Sequence, residues 1–440
     1  MVGNTPLIPR ARLGRWAGLA VRAIRTALLV TLALAFMPTN ASADDPLTLS
    51  EAERLAVERD PTAERYRAEA EAARQEAIAD GTLPDPEILG GAQNIPIDDP
   101  GLDNDPMTQL QLGVRQRFPS GRHAERGIGE AQAAQSRAQA EQAARQARLQ
   151  ARKAYLERLH RERAITLLEA NRAPFEALVD AAEREQAAGR ADRQDALQAM
   201  LALDRLEDRI LDERTALDEA RARLARWIGE EAARRPLPES IPEILDPPDR
   251  EIAERQLADH PRLAQAEAGI RVGQASVERA RSAYRPDWGL EVRYGLRRAD
   301  GMEGDTASDL VSAMVTVQLP LFPADRQDRQ LAAGESRAEA ARSGRREAEL
   351  ELTRELATQY DRWRRLGERA ERYERRLVAL ATENAEAALA AYRADTIPFT
   401  ALQQARLDAL EMRLAALRVD LQRARAEAEL RYLIGEEDTS

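Results

Sequence analysis

The feature that most constrains this chain is that it runs through one pattern twice. Residues 49–229 and 252–435 carry the same segments in the same order. Arg59-Asp60-Pro61 is answered by Asp259-His260-Pro261, and Leu83-Pro84-Asp85-Pro86 by Tyr284-Arg285-Pro286-Asp287. Phe118-Pro119 is answered by Leu319-Pro320, and the closing Trp227-Ile228-Gly229 by Leu433-Ile434-Gly435. The partners stay roughly 200 residues apart, the mark of a duplicated unit. Between the copies, Pro236-Leu237-Pro238 through Pro247-Pro248 cannot continue a helix. The expected division is 44–235 for the first repeat, 236–250 for the link, 251–435 for the second repeat and 436–440 for a tail.

Within each repeat the order reads helix, strand, strand, long helix, turn, helix. Helices are expected over 50–80, 123–188 and 192–228, then 252–284, 325–393 and 397–434. Leu203, Ile210, Leu217 and Leu224 recur every seven residues, as do Leu407, Leu414 and Leu421, with Leu410 and Leu417 as a second stripe. Sustained sevens bury one helix face against a neighbouring helix. At about 1.5 Å per residue the longest helices reach on the order of 100 Å, beyond what a globular domain needs. The two shorter helices of each repeat, end to end, match that length. Pro174 is expected to kink the first long helix. Composition agrees: 32% of residues are charged and only 4% aromatic, which suits close-packed helices better than a ring-filled core.

Four stretches alternate with period two. Trp288, Leu290, Val292, Tyr294 and Leu296 alternate with Asp287, Glu291, Arg293 and Arg297. Val311, Ala313, Val315, Val317 and Leu319 alternate with Ser312, Met314, Thr316 and Gln318. Leu110, Leu112, Val114 and Phe118 alternate with Gln109, Gln111, Arg115 and Arg117, and a weaker run holds Ile88, Gly90 and Ala92. Each is about ten residues, the length of a membrane-spanning strand with an apolar outer and a polar inner face. The inner face would place Arg115, Arg117, Glu291, Arg293 and Arg297 in a wet lumen. Four strands cannot enclose water, and open edges cannot sit in lipid. Several copies must therefore share one barrel, and the residues alone leave three and four copies equally open.

The N-terminus carries Arg10, Arg12, Arg15, Arg22 and Arg25, an apolar run from Ala27 to Phe36 and then Ala41-Ser42-Ala43. This reads as a signal peptide, residues 1–43, cleaved on export. The run is too short for a spanning helix, which takes about 20 residues. Without those five arginines the net charge moves from -11 to -16, which argues against a nucleic-acid partner. There is no cysteine, hence no disulfide and no lipid anchor on Cys. His123, His160 and His260 are scattered without metal-ligand spacing. Phosphate-loop, zinc-protease, serine-nucleophile and dinucleotide glycine motifs are all missing, so no enzyme, cofactor or resident metal is expected.

This ordered set resembles the TolC-type outer-membrane efflux proteins over residues 47–435. The resemblance is carried by the duplicated order, by the strand exits Arg117-Phe118-Pro119 and Gln318-Leu319-Pro320-Leu321-Phe322, and by two turns. The first turn is Ala188-Gly189-Arg190-Ala191-Asp192 with Asp195-Ala196-Leu197; the second is Tyr392-Arg393-Ala394-Asp395-Thr396 with Thr400-Ala401-Leu402. It implies a mainly α fold with a small transmembrane β part: a homotrimer with a twelve-stranded barrel in outer-membrane lipid and an α-helical tunnel across the periplasm. It implies a periplasmic adaptor and an inner-membrane transporter of the resistance-nodulation-division type as partners, and passive conduction. The two turns would be the periplasmic tips, where the tunnel closes. Asp195 falls where such proteins place an acid near the constriction, with Thr400 at the matching second position. Asp192, Arg393 and Asp395 are candidates for tip ion pairs, although Asp192 also suits an N-cap. Gly189 suits a backbone turn of positive φ. Pro320-Leu321-Phe322-Pro323 with Asp325-Arg326-Gln327 looks closest to the heavy-metal efflux branch. A periplasmic adaptor and a soluble coiled-coil scaffold are the alternatives; the first would have one hairpin set in small β domains, the second no detergent-dependent oligomer.

Overall fold

The computed structural model describes residues 45–98, 100–189, 192–238, 247–298 and 307–435. The signal-peptide reading over residues 1–43 and the tail 436–440 lie outside the described residues, as does most of the loop before β4. The chain divides into Met1–Pro46 and Leu47–Ser440, and the architecture below is that of the second unit. No described helix is long and apolar enough to cross a membrane.

In the first repeat, α1 (Leu49–Arg59) and α2 (Pro61–Gly81) lead to β1 (Glu87–Gln93) and β2 (Gln109–Phe118). Then come α3 (Arg122–Ala170), α4 (Arg172–Ala187), α5 (Arg193–Ile228) and a short α6 (Glu230–Arg234). The second repeat has α7 (Arg250–Gln256), a 3-10 turn at Leu257–Asp259, α8 (Pro261–Ser282), β3 (Asp287–Arg297) and β4 (Leu310–Gln318). It closes with α9 (Gln327–Arg372), a π-helical turn at Tyr373–Leu377, α10 (Val378–Arg393) and α11 (Phe399–Ile434).

Two single helices of the sequence reading are broken, and both at X-Pro steps. Asp60 leaves the helical region, and its carboxylate accepts the N–H groups of Thr62 and Ala63 at 3.1 and 3.2 Å, capping α2 with Pro61 at its first turn. His260 does the same for α8: its Nδ1 accepts the Arg262 N–H at 3.1 Å. That bond requires a neutral ring. Burial, and then Arg145 and Arg262, push the His260 pKa down to about 4.

The long helices are interrupted at corresponding heights by different means. In the first, Asn171 separates α3 from α4 three residues before Pro174, and its side-chain amide donates to the Leu167 carbonyl at 2.7 Å. In the second, the π-turn absorbs one extra residue without proline. Each leaves a distal helix of 16 residues.

Small residues let the upper helices meet closely. A Cβ on Gly129 of α3 would lie 2.7 Å from the Ala77 Cβ of α2. In the second repeat, a Cβ on Gly273 of α8 would lie 2.8 Å from the Ala338 Cα of α9. Below, the seven-residue stripes of both repeats converge: Leu206 and Ile210 of α5 pack with Leu410 and Leu414 of α11 around Leu168 of α3. Farther along the same two helices, charge pairs stitch α3 to α11. Arg152 bonds Glu53 and reaches Glu427 at 3.8 Å, Lys153 holds Glu429, and Glu157 holds Arg425. Burial alone would raise the Glu157 pKa; Arg425 and Arg161 outweigh it and hold the carboxyl low.

Candidate duct surfaces: the sheet face and the hairpin tips

The four strands form one antiparallel sheet in the order β1-β2-β3-β4. The central pair, β2 with β3, joins the two repeats, with Phe118 opposite Trp288 and Gln109 opposite Arg297. Pairing in register puts Ile88, Leu112, Val114, Trp288, Leu290, Val292, Tyr294, Val311, Val315 and Val317 on one face. All of them are exposed, Ile88 at 78% and Val311 at 72%. A soluble sheet would bury such a face under a second layer. Here no described residue covers it.

The opposite face is polar and cross-bonded. Arg115 reaches Glu291 at 2.6 Å and Glu87 at 3.5 Å, Arg117 reaches Glu87 at 2.7 Å, and Arg293 bonds Glu291. The result is an unbroken ladder, Arg117–Glu87–Arg115–Glu291–Arg293. The structure thus brings four of the five expected lumen residues together. Arg297 stands apart at the strand end, donating to the carbonyls of Ser308 at 2.6 Å and Pro106 at 3.2 Å. Glu87 escaped the sequence reading because the β1 alternation is weak; its phase opposite Ile88 was the available signal. Glycines make room for the ladder. A Cβ on Gly113 would lie 2.7 Å from Arg293 Cγ and 2.8 Å from the Val292 carbonyl oxygen. Gly113→Val should displace Arg293, and the heat needed to dissociate the assembled protein in detergent should fall; an unchanged dissociation temperature would remove this role for the glycine.

At the other end, the two hairpins meet. Leu178 and Ala182 of α4, Ala196 and Ala199 of α5, and Phe399 and Leu402 of α11 form one buried cluster, with Leu389 and Tyr392 of α10 packed on it. Tyr392 sits edge-on to Phe399 at 5.9 Å between ring centroids, and the Gln403 side chain donates to the Gln198 carbonyl at 3.2 Å. Burial, followed by Glu185, Asp195 and Asp395, raises the Tyr392 pKa.

The tip residues take the following places. Gly189 adopts a φ of 70° just past α4, as expected. Its counterpart is Asp395 at φ 56°, not Ala394, whose φ is -93°. Asp tolerates the left-handed region better than most side chains, and the Thr396 and Asp395 N–H groups close the end of α10 on the Ala391 and Tyr392 carbonyls, each at 3.0 Å. Asp192 occupies the N-cap position of α5, yet its side chain makes no capping bond. Asp192, Arg393, Asp395 and Thr400 are exposed, and Asp195 is half-buried. No ion pair within the chain joins Asp192, Asp195, Arg393 or Asp395 to another described residue. Leu197 and Leu402, alike in sequence, differ in place: Leu197 is 54% exposed and Leu402 1%.

The chain thus combines a helical shaft built from two similar halves with a sheet whose apolar face no described residue covers. Residues 252–436 match the family described as outer membrane efflux protein. The second repeat is thus similar in sequence to that family. The whole fold is that of solved channels of this kind. A membrane protein from Pseudomonas aeruginosa is 20% identical, with 88% of this chain and 90% of that one covered and a TM-score of 0.75. VceC, an outer membrane protein from Vibrio cholerae, is 17% identical over 88% and 96% at 0.73, and CusC is 16% identical over 91% and 96% at 0.73. No curated protein matches the sequence. The family match covers the second repeat, and the fold likeness extends the architecture through the first. Neither likeness supports the adaptor or scaffold alternatives. Among the described residues no cluster of His, Cys, Asp or Glu could hold a metal ion.

Proposed function

We propose that this chain is an outer membrane efflux protein, one protomer of a homotrimeric channel-tunnel, the passive exit duct of a tripartite pump. The observation that carries the oligomer is the sheet: one apolar face uncovered, one charged face, and two free edges on β1 and β4. Lipid accepts the first face only if the edges are closed, which copies of the chain achieve by pairing β4 of one with β1 of the next. Three copies give twelve strands. The helical shaft then crosses the periplasm and presents its tips to an adaptor and, through it, to an energised inner-membrane transporter of the resistance-nodulation-division type. The chain's own residues do no chemistry here; they enclose, insulate and gate. Heavy-metal cations are the cargo suggested by the Pro320–Gln327 segment.

The test is to extract the protein from outer-membrane preparations and weigh it in detergent. A trimer that conducts in planar bilayers is expected; a water-soluble monomer in the periplasmic fraction would end the reading. The gate is assigned to the tips, with Asp195 as the half-buried acid beside the shared cluster. Asp195→Ala should raise single-channel conductance, and unchanged conductance would remove Asp195 from the gate without touching the fold.

A further inference from the structure

The ladder on the polar sheet face is not charge-balanced. It begins and ends on arginine, so each copy contributes three guanidinium groups against two carboxylates. Depth sharpens the imbalance. The Glu291 side chain is 3% exposed beneath its two arginines, whereas Arg117 is 64% exposed and Arg115 38%. Arg117 stands outermost, while Glu87 at 37% is level with Arg115 and above Arg293 at 31%, so only Glu291 is sunk beneath its partners. The remaining charges of this face do not reverse the sign. Asp287, at the shaft end, accepts the Ser120 N–H at 2.8 Å, and Arg297 lies at the far end, so the two cancel in the sum. β4 brings Leu310, Ser312, Met314, Thr316 and Gln318 to this face, with no acid.

We infer that the lumen of the barrel is an anion-favouring filter, with the Arg117–Arg115–Arg293 band as its selective element. This rests on the shared-barrel reading and adds the charge class of the permeant to it. Twelve tilted strands enclose a cylinder roughly 24 Å across between backbones, from strand spacing and tilt. Arginines reaching inward leave every point of the bore within about one Debye length of the wall at 0.1 M salt. Three unmatched positive charges in one band are therefore felt across the whole section. Anionic and neutral solutes pass it more readily than free divalent cations, so a cation cargo would have to cross against this field or leave complexed to an anionic carrier.

The experiment is reversal-potential measurement on trimers in planar bilayers under a potassium chloride gradient near 0.05 M, where the Debye length is about 14 Å. Two variants move the band in opposite directions. Arg117→Gln makes the ladder neutral, and Glu87→Gln raises its net charge to two per copy. The expected order of chloride over potassium permeability is E87Q above wild type above R117Q, with steps of about twofold at this salt. The order is independent of any fixed selectivity added by the loops or tips in series. Conducting trimers whose permeability ratio does not follow it overturn the filter and leave the channel intact. Absence of conductance in all three overturns the channel reading itself, and the filter with it.

Discussion

Val292→Arg should abolish assembly of the proposed trimer in the outer membrane. Val292 lies at the middle of β3, 46% exposed on the apolar face, with Val114 and Ala313 as its cross-strand partners. A guanidinium at the bilayer midplane costs about 2–4 kcal/mol. Assembly repeats it in every copy, so three subunits lose roughly 6–12 kcal/mol, comparable with the whole stability of a domain. The protein should accumulate as unassembled chain in the periplasm, and the detergent-resistant trimer band should vanish from unheated gels. Thr316→Arg, on the opposite face across from Gly289, is the control. It should assemble normally, because its side chain meets water. If V292R assembles as well as T316R, the two faces have been assigned the wrong way round.

The second large effect is at Arg158, only 2% exposed in the shaft. Its guanidinium bonds Glu162 at 2.9 Å and donates to the carbonyls of Ala233 at 2.9 Å and Arg235 at 2.7 Å. It thereby pins the end of the first repeat against α3. Next to it, Leu47 donates its N–H to the Pro236 carbonyl at 2.8 Å, and Tyr155 donates its hydroxyl to Leu47 at 2.9 Å. Arg158→Ala leaves one buried and one half-buried carbonyl without their donor and opens a void, a loss of about 3–5 kcal/mol. For a chain of this length that lowers the melting temperature by roughly 4–6 °C, read by circular dichroism of the helical signal. Arg158→Met keeps most of the volume and should recover part of the loss. An unchanged melting temperature for R158A would show that this clamp adds nothing to the fold.

How legible all this was differs by element. The strands of the second repeat were plain in the residues, since Trp288 to Leu296 alternates without a fault. The first strand was faint, because Gly90, Gly91 and Ala92 carry little hydrophobic contrast, and Glu87 was lost with it. The break at Asn171 was signalled by Pro174. The matching π-turn at Tyr373–Leu377 has no sequence mark, because a π-turn needs only one surplus residue in the hydrogen-bond ladder. The left-handed position at Asp395 had no glycine to mark it, since Asp and Ala both fit a helix end and only the backbone angle separates them.

Taken alone, the order of residues determined what is local or periodic: the repeated segment order, the helical stretches though not their breaks, the two faces of the strongly alternating strands and the need for more than one copy to close a barrel. Those properties follow from spacing along the chain, and spacing is written in the sequence. The tertiary structure decided which segments meet across some 200 residues, a separation over which no periodicity speaks. It paired β2 with β3, drew Phe399 and Ala196 into one tip, and set Arg115 between Glu87 and Glu291. Such contacts depend on register, and a one-residue shift of β2 would have turned Arg115 and Arg117 to the apolar face.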